Sequence, residues 1–137
     1  MTAMRDVRAD GWAQRGGIDR FVDLRDGSSI KIDEKVRYED YGDIFLEYWS
    51  SREHNTPGWT IRDLTCDYIA YAIVPTETCY LFPFQVLRRC AQEYWPEWKH
   101  YKKVFGENPG YTTEGRAIPT EVLLTAIRDA MVIKWDA

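Results

Sequence analysis

The chain has 137 residues, the length of one domain, and 22 acidic against 18 basic side chains give a formal net charge of −4, which excludes a polybasic nucleic-acid coat. Apolar residues make up 45% and aromatics 15%, too much hydrophobic bulk for a disordered chain. The longest apolar run, Tyr68 to Val74, falls far short of the roughly 20 residues that span a bilayer, and no charged-then-apolar leader opens the sequence, so a soluble, cytoplasmic protein with no membrane partner is expected.

In chain order, residues 1–17 show little periodicity and end in Gly16-Gly17, which predicts an arm or short helix ahead of a single domain over 18–137. Period-two alternation predicts three strands, Ile18–Arg25, Ile30–Arg37 and Asp43–Trp49, followed by a polar stretch from Ser50 to Gly58. Asp67–Val74 is nearly all apolar, as in a central strand covered on both faces, and Thr78–Phe82 is expected to return beside it. Pro83 suits a helix start, and Phe84, Leu87, Ala91 and Tyr94 follow at helical spacing. After Pro96 a second helix is expected over residues 97–105, then a turn-rich segment with a short strand around Tyr111–Thr113. Val122, Leu123, Ala126, Ile127, Ala130 and Met131 mark the stripe of a last helix. Strands first and helices later predict an α/β (α+β) fold, a central mixed β-sheet flanked by helices.

Cys66, Cys79 and Cys90 lie 13 and 11 residues apart, which matches neither a zinc knuckle nor a redox pair. His54 and His100 cannot complete a structural zinc site by themselves, so reduced, partly buried thiols are expected.

The stretch that could carry chemistry is residues 16–37, GGIDRFVDLRDGSSIKIDEKVR. Matching its apolar faces pairs Ile18 with Val36, Val22 with Ile32 and Leu24 with Ile30, around a three-residue loop centred on Gly27. That register sets Asp19 across from Lys35 and Asp23 across from Lys31, with Asp33 a diagonal neighbour of Asp19, roughly 7–8 Å away at the backbone. Two carboxylates at that range can converge on one divalent cation with an ammonium alongside; Mg²⁺ takes one or two carboxylates and keeps waters for a substrate. The alternative is a solvated strand face whose cross-strand ion pairs contribute little. Glu34 falls on the apolar face, where either Arg20 pairs with it across the strands or a bulge turns it toward the acids.

Asp19 followed by Asp33-Glu34-Lys35 on the next strand resembles the signature of PD-(D/E)xK nucleases. DIFLEYWS at 43–50, TPGW at 56–59, CDYIAYAI at 66–73 and CYLFPFQVLR at 79–88 resemble small phage and bacterial members, and the likeness spans about residues 14–94. The resemblance implies a restriction-endonuclease-like fold and Mg²⁺- or Mn²⁺-dependent cleavage of DNA phosphodiester bonds. It makes Asp19 and Asp33 metal ligands together with the Glu34 backbone carbonyl, and Lys35 the catalytic lysine. Such proteins commonly carry a carboxylate on a helix before the hairpin; here that region offers only Asp6 and Asp10, so Asp10 and the strand residue Glu47 are the candidate extra acids.

Helical spacing over 97–105 would gather Lys99, Lys102 and Lys103 opposite Trp98, Tyr101 and Phe105, a face that either holds a phosphate backbone or is simply solvated. Arg15, Arg20, Arg37 and Arg52 are further candidates for phosphate contact. Two functions remain open: a Mg²⁺-dependent endonuclease acting on DNA, its grip enlarged by a homodimer, or a catalytically inactive phage-type accessory or inhibitory protein that binds DNA or a host protein.

Overall fold

The computed structural model of the chain describes residues 3–6, as backbone, and residues 18–135. Among the described residues the fold is mixed α+β, with two sheets and three α-helices. It divides into two compact units, one of Met1–Asp40, Leu64–Gln85 and Asp129–Ala137, the other of Tyr41–Asp63 and Val86–Arg128. Among the described residues no helix is long and apolar enough to cross a membrane.

The first unit is a six-stranded mixed sheet. Its strands are β1 (Ala3–Asp6), β2 (Arg20–Asp23), β3 (Ser29–Arg37), β6 (Tyr68–Ile73), β7 (Thr78–Pro83) and β10 (Met131–Lys134), in the order β1-β2-β3-β6-β7-β10. Neighbours run antiparallel except β3 and β6, which are parallel. Ala3–Asp6 is therefore a strand paired to the free edge of β2, not an arm or helix, while residues 7–17 of the expected arm lie outside the described residues. β6 is central, as its composition suggests, yet it alternates: Ile69, Tyr71 and Ile73 are buried, and Tyr68, Ala70 and Ala72 half-buried. A single turn of 3-10 helix, Val74–Thr76, links β6 to β7, with Glu77 in the left-handed region.

The second unit carries a four-stranded antiparallel sheet. It comprises β4 (Asp43–Ser51), β5 (Thr56–Pro57), β8 (Lys102–Asn108) and β9 (Tyr111–Pro119), in the order β5-β4-β9-β8. The helices are α1 (Phe84–Glu93), α2 (Trp95–Trp98) and α3 (Thr120–Ala126). Alternation in DIFLEYWSS buries Ile44, Leu46 and Tyr48. In α1, Phe84, Leu87 and Ala91 form the buried stripe that their spacing predicts.

Two expected helices are corrected. Residues 97–105 do not form one helix: α2 is one turn long and ends at Trp98, and Lys102–Asn108 pairs as a strand with β9 across a tight turn in which Gly110 has φ 83°. Pro109-Gly110 closes that hairpin, and the β-branched and aromatic Val104 and Phe105 suit the strand. The last helix stops at Ala126, with Ile127 at its C-cap, and Met131 belongs to β10 paired with Leu81.

Gly115 sits where β9 meets β4, opposite Glu47. A Cβ there would collide with the Leu46 carbonyl and the Phe45 ring. Gly115→Ala is therefore expected to cost about 3 kcal/mol, because backbone rather than a flexible side chain must give way. Urea unfolding followed by circular dichroism measures this as a lower midpoint at unchanged slope.

Candidate functional site

The β2–β3 hairpin closes through a three-residue turn, Arg25 to Gly27, flanked by Leu24 and Ser28. The Leu24 amide donates to the Ser28 carbonyl at 2.9 Å, and the Gly27 amide to the Leu24 carbonyl at 3.1 Å. Gly27 takes φ 89°, the left-handed third position such turns require. Asp26 fixes the turn by accepting from the Ser28 amide at 2.9 Å and hydroxyl at 2.5 Å. The loop thus centres on Asp26, and the register is Arg20↔Ile32, Phe21↔Lys31, Val22↔Ile30 and Asp23↔Ser29, two residues away from the expected pairing.

A two-residue slip keeps every side chain on its face and changes only what it opposes. Asp23 meets Ser29, whose hydroxyl donates to it at 2.6 Å, instead of Lys31. One step beyond the ladder, the Asp19 amide donates to the Ile32 carbonyl at 2.8 Å, which sets Asp19 opposite Asp33 rather than Lys35. The Asp19 side chain lies within hydrogen-bonding reach of the Asp33 carboxyl and accepts the Glu34 amide at 2.7 Å. Lys35 Nζ is 3.1 Å from Asp33 Oδ2. Asp19, Asp33 and Lys35 therefore share one side of the sheet and one cluster.

That side is the more buried one, against expectation. Asp33 is only 5% exposed, whereas Val36, on the face that composition marks as core, is 51% exposed. Asp33 pairs in register with Ile69 of β6, and Phe21 shares its face on β2; both are buried. Burial pushes the Asp33 carboxyl up to about 7; the Lys35 ammonium opposes this shift and the Asp19 carboxylate adds to it. Cys66 lies near the same acid, and burial followed by the Asp33 charge pushes its thiol up to about 12, so it stays protonated and inert. All three cysteines are free, Cys66 and Cys90 buried and Cys79 half-buried.

Glu34 faces the opposite side and pairs with Arg20, reached diagonally in the actual register. This ion pair compensates the acid, and no bulge interrupts the β2–β3 ladder. Among the described residues no three His, Cys, Asp or Glu side chains converge as a metal-binding group, so the donor set here is two carboxylates. Asp10 and Arg15 lie outside the described residues. Glu47 belongs to the second unit, where its carboxylate accepts the Trp59 amide at 3.3 Å.

The basic candidates are dispersed. Arg37 stacks 5.9 Å from the Tyr71 ring, and Lys99 caps α2. Lys102 and Lys103 are consecutive on β8 and point to opposite faces, which removes the expected basic helical face. A group missed in the turn-rich reading of 106–117 is the buried pair Glu114 and Arg116 on β9, joined at 2.8 Å. Its signal was the alternation through Thr113, Gly115 and Ala117 after a Pro-Gly turn.

Comparison with protein families, with curated proteins and with solved structures found no match. The functional reading therefore rests on the chain's own residues.

Proposed function

We propose that the chain is a divalent-metal-dependent endonuclease that hydrolyses DNA phosphodiester bonds, built on a restriction-endonuclease-like fold. One observation carries this reading: Asp19 and Asp33 oppose each other across a hairpin within hydrogen-bonding reach, with the Lys35 amine 3.1 Å from Asp33. The mixed sheet, with β3 parallel to β6, agrees with such a fold.

The donors fit a hard dication. Two carboxylates face one ammonium in a largely buried place, and Mg²⁺ or Mn²⁺ would relieve their mutual repulsion. Asp19, Asp33 and the Glu34 backbone carbonyl would hold it. When bound, the cation would stabilise charge on the phosphoryl oxygens and acidify water for attack. Asp33, buried beside Ile69 and paired with Lys35, would present its carboxylate from a fixed strand position. Lys35, anchored on Asp33, orients the attacking water and offsets charge growing on the phosphate.

Plasmid DNA incubated with the protein and Mn²⁺ or Mg²⁺ tests this. Wild type is expected to nick the plasmid, with Lys35→Ala at least about 100-fold slower, the usual scale for losing a group that stabilises transition-state charge. Plasmid and single-stranded DNA both left intact by folded wild type with either metal contradict the proposal and favour the inactive accessory or inhibitory protein, a reading that the two-acid donor set also accommodates.

A further inference from the structure

The second unit holds a cavity of about 400 Å³ that uses none of the residues discussed as metal ligands. Its lining is mainly apolar and includes three rings, Tyr48 and Trp49 from β4 and Trp95 from the start of α2, together with the carboxamides of Asn55 and Gln92. The Tyr48 and Trp95 rings are 4.5 Å apart between centroids, and Trp49 meets Trp95 edge-on at 5.6 Å and 76°. The rings are held in place. The Tyr48 hydroxyl donates to the Ala91 carbonyl at 2.9 Å, and Trp49 Nε1 donates to Asn55 Oδ1 at 3.2 Å.

Each indole also carries a guanidinium: Arg52 lies 4.4 Å from the Trp49 ring and Arg116 lies 5.0 Å from that of Trp95. Glu114 ties the two arginines together, at 3.2 Å from Arg52 and 2.8 Å from Arg116. Neither arginine lines the cavity, and no side chain lining it is charged. The Arg52 side chain is half exposed.

We propose that this cavity takes the base of an unpaired nucleotide, which makes a single-stranded, flapped or branched nucleic acid the substrate class of the nuclease. This inference rests on the nuclease reading for its choice of ligand. A nucleobase is a neutral plane with polar edges, matched by ring walls and two carboxamides, and Arg52 beside the cavity supplies a cation for its phosphate. A neutral sugar or a proline-rich peptide would use the rings but offer no anion to the half-exposed Arg52 guanidinium beside them. A base stacked inside a duplex cannot enter, so the site selects unpaired nucleotides.

Tryptophan emission, titrated in EDTA so that no cleavage occurs, tests the proposal with a short single-stranded oligonucleotide and the duplex of the same sequence. The single strand is expected to quench the emission and to bind at least tenfold tighter than the duplex. Trp95→Ala should weaken that binding roughly tenfold to 100-fold, and Gln92→Ala, on an exposed helical position, severalfold. Circular dichroism verifies that both variants are folded; should Trp95→Ala unfold, Gln92→Ala and Asn55→Ala decide.

Equal affinity for both nucleic acids, or binding unchanged in the folded variants, overturns the proposal. So does quenching by an oligosaccharide or a proline-rich peptide in place of the oligonucleotide. Plasmid nicking without strand preference sinks the cavity assignment alone. Single-strand binding through Trp95 without cleavage of plasmid, single-stranded or branched DNA under any metal sinks the nuclease reading alone.

Discussion

Asp33→Asn is expected to abolish DNA hydrolysis and, at pH 8 without metal, to make the protein more stable. The stabilisation follows from where the acid sits. Asp33 is 5% exposed, and its carboxyl is raised from 3.8 to about 7 by burial first, with Lys35 opposing and Asp19 adding. Between those values the folded protein holds a proton that the unfolded chain has released. Stability from this group is therefore full below about pH 4 and lost as pH rises through 7. The loss by pH 8 amounts to at most about 4 kcal/mol, at about 1.4 kcal/mol for each pH unit between the two pKa values. An asparagine amide removes the charge and can donate to the Asp19 carboxylate, but it cannot serve a dication as a carboxylate does. Differential scanning calorimetry at pH 8 should show Asp33→Asn melting about 5 °C or more above wild type, on the scale of a few degrees per kcal/mol for a domain of this length. At pH 4 the two proteins should melt together. A variant that melts lower at pH 8 would mean that the acid supports the fold through its pair with Lys35, not that it is held there at a cost.

The second large effect is the response of wild type to metal. Without divalent ions its melting temperature should fall between pH 5 and pH 8 through the Asp33 contribution, since ionisation puts a charge in a buried place and, secondarily, beside the Asp19 carboxylate. Mn²⁺ compensates that buried charge only where Asp33 is ionised. The Mn²⁺-induced rise should thus be small at pH 5 and large at pH 8, about 2.7 kcal/mol at a free concentration 100 times the dissociation constant. Asp33→Asn should lose the response at both pH values. A rise that is equal at pH 5 and pH 8, or that persists in Asp33→Asn, places the metal elsewhere.

Local rules carried the sequence a definite distance. Alternation and Gly27 are sufficient to identify the β2–β3 hairpin, and face parity alone puts Asp19, Asp33 and Lys35 together and Arg20 with Glu34. The turn centres one residue earlier than apolar matching predicts because Asp26 captures Ser28 and leaves Gly27 as the third loop residue. Which face would be buried was not legible from apolar counts. Ile30, Ile32 and Val36 outnumber their polar neighbours, yet burial is set by β6, a strand 36 positions later whose Ile69 and Tyr71 stand beside Asp33 and Lys35. The same non-local pairing explains the second sheet. Trp98, Tyr101 and Phe105 imitate a helical stripe, and only the Pro109-Gly110 turn tells that Lys102–Asn108 folds back on β9. Glu114 and Arg116 became visible as a buried pair once that hairpin was in place.

The most direct test of the central claim is a crystal grown at pH 8 with Mn²⁺ and measured for anomalous scattering. The expected result is a peak bonded to both the Asp19 and Asp33 carboxylates, with the Lys35 amine beside it. An anomalous map without density at that place, and with Asp33 still bridged to Asp19 and Lys35, would contradict the account.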